Sequence, residues 1–125
     1  RKAIYDIVNP VYPCFDMQVT GNKNPDNYVL MTSQSKTIDK ATKCNYRWDC
    51  SLLLDIVTIY KGSGNTGSRV KGDDMESAIY ELIKDIEIAG YEVVNRSFSF
   101  PDSLSLKTST ENVFRNFIRI ELLLN

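Results

Sequence analysis

No histidine occurs anywhere in the 125 residues, which removes the commonest general base and the usual serine and cysteine triads. Cysteine is scarce. Cys14, Cys44 and Cys50 leave one thiol over in any disulfide scheme and contain no Cys-x-x-Cys, so a structural zinc site has almost no ligands. They read as small buried hydrophobes of a chain made and kept in a reducing cytoplasm. Cys44 and Cys50, six positions apart on one expected strand, stand roughly 20 Å apart and cannot bridge. Net charge is lacking too: 15 basic against 16 acidic side chains give −1, so no global field recruits nucleic acid or an anionic membrane. Apolar runs such as residues 52–54 are far too short to span a bilayer, and no signal peptide is recognisable, so no membrane partner is expected. The chain opens on Arg1 rather than a methionine, as it would with residues missing ahead of it.

What is present is periodicity. Across residues 72–90, Met75, Ala78, Ile79, Leu82, Ile83, Ile86 and Ala89 recur at offsets of three and four and form one apolar helical stripe. Asp73 is positioned to cap that helix, Glu76 to complete a capping box, and Gly90 to end it. A shorter helix over residues 1–8 gathers Ala3, Ile4, Ile7 and Val8, and Pro10 stops it. Residues 11–19, interrupted by Pro13, read as an edge strand. Residues 27–33 read as a strand apolar on both faces, followed by a polar hairpin tip or loop over 34–43. The longest pattern runs from Asn45 to Lys61, with Tyr46, Trp48, Cys50, Leu52, Leu54, Ile56, Thr58 and Tyr60 on one face. Its reach of roughly 50 Å exceeds the usual strand. Two readings stay open: its first half projects as an arm, or a bulge near Cys50 folds it back. Residues 91–100 and 113–124 complete the strands, separated by a polar loop over 102–112, and Arg115, Arg119 and Glu121 are expected beside Arg47, Asp49 and Asp55.

The resulting order, α-β-β-β-α-β-β, has hairpin connections and no βαβ alternation. It predicts one α+β domain over residues 1–125, a mainly antiparallel sheet of about five strands with two helices on one face.

Motifs that resemble chemistry fail on spacing. Gly62-x-Gly64-x-x-Gly67 matches a dinucleotide fingerprint in letters, but the expected helix waits until about Asp73 and opens on acids that repel phosphate. Ser68 and Arg69 stand where a phosphate loop needs Lys and Ser or Thr. No Asp or Glu is followed two residues on by Lys, as a restriction-type nuclease requires. A carboxylate metal site on Asp73, Asp74 and Glu76 competes with their simpler role as helix caps. No catalytic, cofactor-binding or metal-binding residue is therefore expected, and the chain is not read as an enzyme. Lys61, Arg69 and Lys71 make the glycine segment basic, and Lys36, Lys40, Lys43 and Arg47 do the same for the first hairpin.

The layout resembles the tail terminator, or tail completion, proteins of phage neck and tail assemblies. The leading helix at Ala3-Ile4-Tyr5 before Val11-Tyr12, the short strand Asn27-Tyr28-Val29-Leu30, the long strand through Leu52-Leu53-Leu54-Asp55-Ile56, the helix around Glu76 to Ile86 and the closing strand at Phe117-Ile118-Arg119-Ile120 carry it. The resemblance implies a virion protein of the neck or tail, assembled in the host cytoplasm as a homo-oligomeric ring of commonly six copies. Such a ring caps the tail tube, joins the head-side connector and passes DNA without reading its sequence. The glycine segment and the polar hairpin depart from the pattern, and a twelve-fold collar is equally compatible. On this reading Tyr46, Arg47, Trp48 and Asp49 form a subunit interface, while Lys61, Arg69 and Lys71 face the lumen or the connector. The competing class is a cytoplasmic nucleic-acid-binding α+β module, with Tyr46, Trp48 and the lysine hairpin as a stacking and phosphate surface.

Overall fold

The two longest alternating stretches become the centre of one sheet, because each has enough apolar side chains on one face to cover a helix layer. The structure, a computed structural model, describes residues 1–16, 26–39, 47–61, 67–107 and 110–125. Its elements run α1 (Lys2–Val8), β1 (Cys14–Asp16), β2 (Asn27–Asp39), β3 (Arg47–Lys61), α2 (Val70–Ile83), β4 (Val93–Ser99), β5 (Leu104–Lys107) and β6 (Glu111–Leu124). The six strands form one sheet in the order β1-β2-β3-β6-β4, with β5 paired to β6 beyond the end of β4. Among the described residues only the β1–β2 pair is parallel. The α+β class, the mainly antiparallel sheet and the two helices on one face are as the periodicity predicts.

Val29, Met31, Leu52, Leu54, Ile56, Ile118, Ile120, Leu122 and Leu124 point to the helix side and pack on Ile4 and Val8 of α1 and on Met75, Ile79 and Ile83 of α2. Ile86 joins them just past the helix end. Burial of such side chains contributes roughly 1.5–3 kcal/mol each, so this layer dominates stability. Edge-to-face contacts of Tyr80 with Phe98 and Phe100, at 5.3 and 5.8 Å, fasten β4 to α2. The Arg96 guanidinium does the same from the strand side, donating to the Ile86 carbonyl at 2.9 Å.

Four expectations are corrected. β3 has no projecting arm: residues 47–52 are paired to β2 on one side and, from Trp48 on, to β6 on the other. The anticipated bulge lies in β2 instead, between Met31 and Gln34. It shifts the inward positions from Val29 and Met31 to Gln34 and Lys36, and Arg1 covers it by donating to the Met31 and Thr32 carbonyls at 3.0 and 2.8 Å. β2 runs on through residues 34–39, read from their polarity as a hairpin tip or loop, and β5 forms within the stretch read as a second loop. Both belong to the sheet because a neighbouring strand supplies the backbone partners, whatever the side chains prefer.

The last correction concerns α2, which begins at Val70 and ends at Ile83. Asp73 and Glu76 therefore sit inside the helix, where they accept hydrogen bonds from the buried Asn116 amide of β6 at 2.9 and 3.5 Å. Gly72 lies buried above the same amide, and a Cβ there would stand 2.9 Å from Asn116 Oδ1. Gly90 does have positive φ, at 84°, but in a turn beyond the helix. A glycine inside a helix ordinarily gains about 0.5–1 kcal/mol on replacement by a better helix former. Here the close approach reverses that sign. Gly72→Val is expected to lower the unfolding free energy by about 1–3 kcal/mol. Adding Asn116→Ala should return part of that loss in a double-mutant cycle, and strictly additive effects would show that the two positions do not touch.

Candidate assembly surfaces

The two sets of residues singled out by the sequence, one for a subunit interface and one for a lumen or connector, lie at opposite ends of the sheet. Trp48 and Lys61 open and close β3, thirteen positions apart, which separates them by roughly 43 Å. Tyr46 lies outside the described residues, as do Lys40, Lys43 and Cys44.

At the first end, alternation sends Trp48 to the helix side and Arg47 and Asp49 to the open side. Trp48 is half-buried against the core and lines a cavity of about 240 Å³ with Arg1, Ile4, Lys36, Cys50 and Tyr91. Asp49 is exposed. Cys14 is buried and Cys50 half-buried, both as free thiols. Desolvation pushes the Cys14 thiol up to about 11 and raises that of Cys50 as well. Neither has the depressed pKa of a reactive thiolate.

At the second end, Tyr60 and Phe114 meet edge to face at 5.8 Å, and the chain entering α2 docks on them. Tyr60 Oη donates to the Ser68 carbonyl at 3.1 Å. Gly67, with φ of 102°, lies so close to the Tyr60 ring that a Cβ would fall 2.6 Å from it. Arg69 is engaged rather than extended: its guanidinium stacks 5.7 Å from the Phe114 centroid and donates to Ser103 Oγ. Lys61 pairs loosely with Asp26 at 3.8 Å, both exposed, and Lys71 is exposed in the first turn of α2.

The face of the sheet away from the helices has no layer over it among the described residues. Leu104 and Leu106 are exposed there, and Leu53, Ile59, Val113, Phe117 and Leu123 are half-buried. Val57 and Asp55 are fully buried within this face. Asp55 accepts from Arg115 at 3.2 Å through Oδ2, and Oδ1 has no partner among the described residues. Burial raises the Asp55 carboxyl pKa, and the Arg115 charge opposes that rise. Arg119 donates to Ser51 Oγ across the same face at 3.1 Å. The expected juxtaposition of the charged β6 positions with those of β3 therefore holds for Asp55, whereas Arg119 meets Ser51 and Asp49 lies opposite Leu123. What the sequence reading passed over is that Asp55 is buried. Its position within the apolar run from Leu52 to Val57 was the available signal.

Among the described residues no three His, Cys, Asp or Glu side chains converge where a metal ion would fit, and no helix is long and apolar enough to cross a membrane. What the geometry of the described residues offers is surface: an apolar sheet face with no layer over it among them, and strand edges with no second partner among them.

No family model matches the chain, and no curated protein matches it in sequence. Among solved structures it is similar to a chain in the virion of a native gene transfer agent particle, with a TM-score of 0.63 over 96% of this chain and 84% of that one. Sequence identity is 10%, so the likeness is one of fold.

Proposed function

We propose that the chain is a structural subunit of a phage-type virion, located in the neck or tail and assembled in the host cytoplasm. In this reading it forms a homo-oligomeric ring, of six or twelve copies, that joins the tail to the head-side connector and leaves a lumen for DNA. Its role is assembly rather than catalysis. The observation that carries the proposal is the shared fold with a gene transfer agent virion chain over nearly the whole length. The surfaces support it physically. Among the described residues one face of the sheet is apolar and has no layer over it, and copies of the chain or neighbouring virion proteins can cover it. The division of Trp48 from Lys61 and Lys71 fits a subunit that meets its neighbours at one end and presents basic groups at the other.

Light scattering on the purified chain, paired with negative-stain micrographs, tests this. A single species of six or twelve copies with a central opening is expected. A monomer at all concentrations, or an open filament, would contradict the ring.

A further inference from the structure

Among the described residues, the register of the sheet brings two strand edges without a second partner to one level. Reading across the strands, Gln34, Leu52, Ile120 and Phe98 lie in one row, and Ser35, Ser51, Glu121 and Ser97 in the next. Lys36, Cys50, Leu122 and Arg96 follow, then Thr37, Asp49, Leu123 and Asn95. Residues 34–39 of β2 and Val93–Ser99 of β4 therefore end the same four-stranded band on opposite sides. Among the described residues β1 pairs with β2 only at Val29, Leu30 and Met31, so residues 34–39 pair with β3 alone. Among the described residues β4 likewise pairs with β6 alone. Neither segment contains proline and β4 contains no lysine, so two common devices for blunting an edge are absent from β4; it carries a third, a bulge between Val93 and Asn95, at the end of the band. Its one charged side chain, Arg96, is occupied by the Ile86 carbonyl.

Resting on the ring reading above, we infer that these two edges join successive copies: β4 of one subunit pairs with residues 34–39 of the next. Three antiparallel pairings in succession make β2 and β4 run in opposite directions, so a neighbour continuing the sheet in the same sense meets β4 with antiparallel geometry, the better-bonded arrangement. The two segments match in length to within a residue. Because they sit at one level, joining them requires no displacement along the strands. A head-to-tail contact of this kind gives a ring where its rotation closes and a filament where it does not. The occupant of each edge is thus a second copy of this chain.

Ser35 and Ser97 mark the joint. Both are exposed and share the open face. Within one subunit three strand spacings, about 14 Å, separate them, too far for a disulfide. Across the inferred joint they stand opposite each other at about 5 Å, within disulfide reach. The test is Ser35→Cys with Ser97→Cys in a chain also carrying Cys44→Ser and Cys50→Ser. Mild oxidation is expected to give a ladder of covalent dimers, trimers and higher species, while a mixture of the two single variants stops at dimers. Hydrogen exchange on the unaltered chain gives a second readout that needs no substitution: backbone amides in residues 34–39 and 93–99 should gain protection as concentration drives assembly. An oligomer by light scattering that gives no ladder and leaves those amides unprotected overturns the edge assignment and leaves the ring standing. A monomer at every concentration overturns both.

Discussion

Leu54→Ala is expected to lower the unfolding free energy by about 2–5 kcal/mol, the range for removing a fully enclosed leucine side chain. Leu54 has no exposed surface, sits midway along the central strand, and lies between Met31 on β2 and Ile118 on β6, all three within the helix-facing core. Strands on both sides and helices above leave the backbone little room to collapse into the vacated volume. Each kcal/mol shifts the thermal midpoint of a domain this size by roughly 3–5 °C. Leu54→Met preserves most of the volume and should cost less than about 1.5 kcal/mol. Chemical denaturation of the two variants beside the parent chain, at matched protein concentration because assembly would itself raise the apparent stability, measures the difference. A loss under about 1 kcal/mol for the alanine variant would mean that Leu54 is not at the centre of the core.

Arg115→Met is expected to destabilise the chain at neutral pH by about 1–3 kcal/mol, and by progressively less as the pH is lowered. Asp55 is almost wholly enclosed, with 4% of its side chain exposed, and Arg115 is its charged partner among the described residues. Removing that partner leaves an ionised carboxylate in a poorly solvated place with neither oxygen bonded among the described residues. Because Arg115 itself is 45% exposed, the loss should fall short of that for breaking a fully buried pair.

The pH dependence follows from the direction of the shift. Burial raises the folded-state pKa of Asp55 above the ordinary value of about 3.9. Ionisation of this group therefore opposes folding at pH above the folded pKa, and that penalty disappears as pH falls through the raised value towards the ordinary one. Arg115 limits the penalty, so its removal raises the folded pKa further and widens the interval. Urea unfolding at neutral pH and at about pH 4 should show the deficit of Arg115→Met shrinking between them. In a chain carrying Asp55→Asn the same arginine substitution should cost little at either pH. A deficit that grows on acidification would mean that Asp55 is stabilised by ionisation, contrary to its burial.

These two residues show where sequence reading stops. The helix-facing side of β3 was legible because alternation over Trp48, Cys50, Leu52, Leu54 and Ile56 has one interpretation. Asp55 carries the opposite lesson. On its own a carboxylate in alternation reads as solvent-facing, and it is the assembled sheet, with Arg115 paired to it and Leu30 and Phe117 opposite it on the flanking strands, that buries it. Asp73 and Glu76 were misread for a related reason. Acids near a helix start ordinarily cap it, but an amide from β6, forty residues away, engages them inside the helix instead.

The order of elements, the α+β class and the placing of both helices on one face were written into the chain by periods of two and between three and four, because local geometry converts those periods into faces. Strand partners, the bulge between Met31 and Gln34, and the extension of β2 to Asp39 were decided by the assembled sheet. So was the common level of residues 34–39 and 93–99: segments some sixty residues apart acquire a shared height only through the registers of the two strands between them, and no local pattern records the sum of three pairings.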